Sequence, residues 1–112
     1  MSGLHTMTNA MAIVQAQGSL NASNAQDFHL SLVERLQCDK SAGLVVDMSQ
    51  VESLDSAGLI SLVSALKQAR QRSKRFCLCA VPPTIRIIFE LTQLDRVFEM
   101  VEDVSHTTLL AA

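Results

Sequence analysis

The sequence contains neither tryptophan nor tyrosine, and its only aromatic side chains are Phe28, Phe76, Phe89 and Phe98. Proteins that stack bases or sugars spend aromatics on them, and these four all fall within apolar patterns. Strong charge of either sign is also missing. Nine Lys and Arg against eleven Asp and Glu leave a net −2, which argues against nonspecific attraction to DNA or anionic lipid. No apolar run exceeds Phe76 to Val81, far short of the ~20 residues a membrane-spanning helix needs. The first Lys or Arg is Arg35, so the basic start of a secretory signal is not seen. Cysteine is limited to Cys38, Cys77 and Cys79. An odd number without framework spacing suits a reducing compartment, and the cytoplasm is the expected location.

What is present reads as an ordinary core. Hydrophobic residues make up 48% of 112 residues, enough for one domain spanning residues 1–112. A chain of this size buries roughly two thirds of its unfolded surface and needs no disulfide or metal staple.

Two candidate strands, Leu4 to Met7 and Met11 to Gln17, flank the turn Thr8-Asn9-Ala10 and predict an opening hairpin. Gly18 is expected to end the second of these, with Ser19 to Ser23 as a loop. Ser23 or Asn24 can cap a helix whose Ala25, Phe28, Leu32 and Leu36 recur at helical spacing. Leu44-Val45-Val46 has the composition of a buried central strand, followed by a predicted loop from Ser49 to Asp55. A second helix opens at Ser56 or Ala57 with Leu59, Leu62, Val63 and Leu66 on one face. Phe76 to Val81 predicts another buried strand. Pro83 suits the first turn of a third helix with Ile85, Ile88, Phe89 and Thr92 inward. Val97 to Met100 predicts a last strand and Ser105 to Leu110 a short final helix. The expected fold class is α/β, a mixed sheet of four or five strands packed with about four helices.

Chemistry concentrates around Asp55-Ser56. As local physics the pair is an N-cap signal, because short polar side chains satisfy the orphan N–H groups of a helix start. The three histidines, His5, His29 and His106, have no metal-ligand spacing and predict surface positions. Cys77 and Cys79 alternate on one strand face and predict small buried hydrophobes. Lys67, Arg70, Arg72, Lys74 and Arg75 cluster at the end of the second helix, where positive charge complements the dipole and a solvated end is expected. Ser56 lacks a Gly-x-Ser-x-Gly elbow and a nearby histidine, and no Gly-rich phosphate loop occurs. No catalytic residue, metal or cofactor is expected, and the protein is read as a non-enzyme.

The wider pattern is more specific. A buried strand ending in Asp47, a pinned loop, then Asp55-Ser56-Ala57-Gly58-Leu59 opening a helix resembles the phosphorylation motif of STAS-domain anti-sigma factor antagonists. Gly18-Ser19-Leu20-Asn21 and the segment Pro83 to Thr92 resemble two flanking family segments. The chain departs from the family in having Asn21 in place of an Asp, Ala57 in place of Ser or Thr, and Gln93 in place of a helix-ending Gly.

The resemblance implies that Ser56 accepts a phosphate. It also implies that the unphosphorylated form binds an anti-sigma factor Ser/Thr kinase, that phosphorylation breaks this complex, and that a metal-dependent Ser/Thr phosphatase restores it. Ser19, Leu20, Asn21, Ser23 and Ser56 are the expected partner interface, with neither nucleic acid nor membrane as a partner. Two other classes fit the same residues. One is a constitutive subunit of a transporter or sensor assembly; the other is a regulatory domain binding a nucleotide or small molecule beside Asp55.

Overall fold

The computed structural model describes residues 11–38 and 40–103. Four strands, β1 (Met11–Leu20), β2 (Gly43–Leu54), β3 (Arg75–Cys79) and β4 (Glu99–Val101), alternate with three helices, α1 (Ala25–Leu36), α2 (Ser56–Gln71) and α3 (Pro83–Leu91). A 3-10 turn, Leu94–Arg96, precedes β4. The sheet order is β1-β2-β3-β4, and every described pairing is parallel. Each strand-to-strand connection therefore crosses the sheet from end to end. The helices run back along it, so the starts of α2 and α3 lie at the carboxyl ends of the strands.

Alternation along the strands decides what each face buries. Leu44, Val46, Met48, Phe76 and Leu78 join Leu32 and Leu36 of α1, Leu62, Ala65 and Leu66 of α2, and Ile85 and Phe89 of α3 in the main core. Phe98 meets Phe89 edge-on at 5.4 Å and Phe76 at 6.1 Å, which fastens the approach to β4 onto α3 and β3. The opposite face carries Val45, Cys77, Cys79 and Val101, all buried. Cys77 and Cys79 thus occupy the positions expected of small buried hydrophobes.

Several boundaries differ from the sequence expectation. β1 does not end at Gly18 but continues through Leu20, and β2 runs on through Leu54 where a loop from Ser49 was expected. The two stay paired across register shifts between Gln15 and Gln17 and between Gly18 and Ser19. Gly18 makes the second shift with φ +70°, a left-handed conformation that glycine adopts at little steric cost. The shifts bury Met48, Val51 and Leu54 at intervals of three, which hides the twofold period of a strand. β3 covers Arg75–Cys79, and the last strand is Glu99–Val101 with the 3-10 turn before it. Thr92 is exposed, not inward; its hydroxyl donates to the Ile88 carbonyl at 2.8 Å.

The described strands give a parallel sheet; the antiparallel strand expected at residues 4–7 and the final helix expected at 105–110 lie outside the described residues. So do His5 and His106. His29 is half-buried, more enclosed than a surface position implies, and its Nε2 is buried with no hydrogen-bond partner among the described residues. The basic run is also more engaged than a solvated end. Arg75 forms an ion pair with Glu99, Arg70 donates to the Val97 carbonyl at 3.2 Å, and Lys74 Nζ donates to the Cys38 carbonyl. Lys67 and Arg72 remain exposed.

Candidate functional site

The ends of β1 and β2 and the start of α2 meet at the carboxyl edge of the sheet. Asp55 leaves β2 in an extended conformation, φ −99° and ψ −174°, and caps α2. Its Oδ1 accepts from the Gly58 N–H at 3.0 Å, and its carbonyl accepts from Leu59 N–H at 2.9 Å. Its own N–H donates to the Leu20 carbonyl at 3.0 Å. One residue therefore closes the helix and ties it to the end of β1.

Gly58 permits that tie. A Cβ at this position would stand 2.6 Å from the Leu20 carbonyl oxygen and 2.8 Å from Leu54 Cδ1. Only a residue without a side chain lets the first turn of α2 lie this close to both strand ends. Ala57 and Leu59, on either side, are half-buried. Ser56 is the first residue of α2 and is exposed. The positive end of the helix dipole and N–H groups without helical acceptors lie at this position.

Beside Ser56 lies the turn from β1 into α1. Ser19 and Ser53 are cross-strand partners, and the Ser53 hydroxyl donates to that of Ser19 at 2.8 Å. Asn21 Oδ1 accepts from the Ser23 N–H at 2.9 Å and from its hydroxyl at 2.6 Å. Asn24 locks the turn from the other side. Its Oδ1 accepts from the Asn21 N–H at 3.0 Å, and its Nδ2 donates to the Ser19 carbonyl at 2.7 Å.

The structure brings Ser19, Asn21, Ser23 and Ser56 to one end of the molecule, with Ser19, Ser23 and Ser56 exposed and Asn21 half-buried. Leu20 is different. Its side chain is in the core, and it serves the site through its carbonyl. Asn24 was read from sequence only as a possible cap, yet it makes no side-chain cap hydrogen bond and instead holds the turn. Its bonds to residues three and five positions back are local, but an Asn before a helix gives no sign of which way they run. Among the described residues no group of His, Cys, Asp and Glu is arranged to hold a metal.

A strand end, a helix start capped by Asp55 and an adjoining locked turn make a recognisable assembly, and the family model for the STAS domain matches residues 5–107. This chain is a STAS domain. It is 32% identical over 91 residues to BtrV of Bordetella bronchiseptica, which carries the name of an anti-sigma factor antagonist, covering 80% of this chain and 77% of that one. A Thermotoga maritima structure described in the same terms superposes with a TM-score of 0.80 at 25% identity, covering 88% of this STAS domain and 85% of its own chain. A sulfate transporter family protein of Wolinella succinogenes shares the fold alone: TM-score 0.77, 12% identity, 90% and 84% coverage. No described helix of this STAS domain is long and apolar enough to cross a membrane.

Proposed function

We propose that this STAS domain is an anti-sigma factor antagonist of the partner-switching kind, with Ser56 as its phosphoacceptor. One observation carries the reading: Ser56 is exposed at the first position of α2, directly after the capping Asp55 and beside the Ser19–Ser23 turn. In the unphosphorylated state this end binds an anti-sigma factor that is itself a Ser/Thr kinase. Transfer of phosphate to Ser56 breaks the complex, and a metal-dependent Ser/Thr phosphatase resets it. The domain acts as substrate and binding module in the cytoplasm, without a cofactor of its own, and regulates transcription through the released sigma factor.

Energetics support a switch at this position. At the helix terminus the phosphate gains about 0.3–1 kcal/mol, so the fold tolerates it. Inside an interface, an uncompensated charge costs about 3–5 kcal/mol, enough to weaken binding by roughly two to three and a half orders of magnitude. On a rim it would be screened. The test is binding to the kinase with ATP present or absent. Ser56→Ala should bind and resist phosphorylation, whereas Ser56→Asp should lose the complex while melting within a few degrees of wild type. Phosphate found on Ser49 or Ser53 would remove the reading.

A further inference from the structure

A surface helix ordinarily carries one apolar stripe toward the core and a polar face opposite it. α3 carries two apolar stripes. Five of its nine residues are isoleucine, phenylalanine or leucine, and of these Ile85, Ile88 and Phe89 pack into the main core. Ile87 and Leu91 do not. They stand four residues apart, hence side by side on the helix surface, and are 51% and 79% exposed. Either one alone would be unremarkable; together they form a second stripe on the outer side.

The charges beside that stripe say what fits it. Arg86 and Glu90 are exposed and each comes one position before a stripe residue, so both lie along the same flank. Neither side chain makes a hydrogen bond or ion pair among the described residues. When a helix meets its own copy antiparallel across a twofold axis, flank residues face each other in reversed order. Arg86 then stands opposite Glu90 of the partner copy, Glu90 opposite its Arg86, and Ile87 against its Leu91. A parallel pairing would set Arg86 against Arg86. The stripe therefore complements itself in charge and in apolar order, in the antiparallel orientation.

We propose that the outer face of α3 is a self-association surface, where two copies of this domain meet antiparallel on Ile87 and Leu91 and are oriented by Arg86 and Glu90. Two helical turns from each copy bury less than the roughly 1,200 Å² that marks the lower limit of stable pairings. The dimer is therefore weak, with a dissociation constant of about 0.1–1 mM. Leu91 is the last residue of α3, at the end of the sheet opposite Ser56, and the contact stands whether or not that serine accepts phosphate.

Sedimentation equilibrium of the full chain between about 0.02 and 2 mM brackets that constant. Wild type should pass from monomer to dimer, and Leu91→Ser should weaken the association about tenfold or more. Arg86→Glu and Glu90→Arg each oppose like charges and should each weaken it at least about tenfold. Mixed in equal amounts, these two variants regain both opposite-charge pairs and should associate within about threefold of wild type. Thermal midpoints should stay within a few degrees, because every altered side chain is exposed. Wild type that remains monomeric throughout, or Leu91→Ser that associates as well as wild type, overturns the surface. Single charge reversals that associate like wild type, or a mixture no stronger than its components, overturn the antiparallel pairing.

Discussion

At Asp55 the side chain and the peptide unit serve different elements. The carboxylate satisfies the Gly58 N–H, while the N–H reaches back to Leu20. Asp55→Ala should remove the first and keep the second, destabilising the domain by about 1 kcal/mol, as N-cap truncations do. Asp55→Asn should retain most of that stability, and urea unfolding can compare the two. Gly58→Ala tests the opposite expectation. Intrinsic helix propensity favours the change by roughly 1 kcal/mol, but the new Cβ would meet the Leu20 carbonyl at 2.6 Å. Backbone cannot yield as a flexible side chain does, so a net loss of about 1–3 kcal/mol is expected. A neutral or stabilised Gly58→Ala would mean that the helix can back away from β1.

The contrast between these two residues shows what the sequence discloses. Capping is settled within three residues, so Asp55-Ser56 could be read directly. The clearance at Gly58 and the Ser19–Ser53 hydrogen bond join segments more than thirty residues apart. Only the folded register makes them visible.

At the level of elements, the three helices were legible because each carries apolar residues at helical spacing, and the buried parts of β2 and β3 because they are continuous apolar runs. The ends of β1 and β2 were not, since the register shifts place inward residues three apart. The start of β4 was missed for another reason. Gln93 stands at φ +62° after α3, turning the chain into the 3-10 segment before Phe98 enters the core. A side chain is strained in that conformation. Gln93→Gly should therefore stabilise the domain by about 0.5–1 kcal/mol, measured as a rise in thermal midpoint. An unchanged or lower midpoint would show that the glutamine side chain compensates.

Over the whole molecule, the sheet separates its cysteines by fate. Cys38 is exposed, whereas Cys77 and Cys79 are buried on the face that also holds Val45 and Val101. A disulfide reagent near neutral pH should modify one thiol in the native protein and three after denaturation. Burial, with Asp47 nearby, pushes the Cys79 thiol from an ordinary 9.0 up to about 11. The folded state then holds this proton more tightly than the unfolded chain. Its contribution is complete below about pH 9 and is lost as pH rises toward 11. Unfolding midpoints recorded over that interval should fall more steeply for wild type than for Cys79→Ala; parallel slopes would assign the alkaline loss to other groups.

β2 is bonded to β3 from Gly43 as far as Asp47, while its remaining length is paired with β1 alone among the described residues. The far end of the sheet is thus a two-stranded arm, and two-stranded pairings are marginal by themselves. Amide hydrogen exchange should be graded along this one strand. Protection should be near the global limit at Leu44 to Val46 and lower at Gln50 to Ser53, through openings that leave the core closed. Ser56 stands at the outer end of that gradient, so loosening the arm would free the start of α2 while β3 and α3 keep their packing.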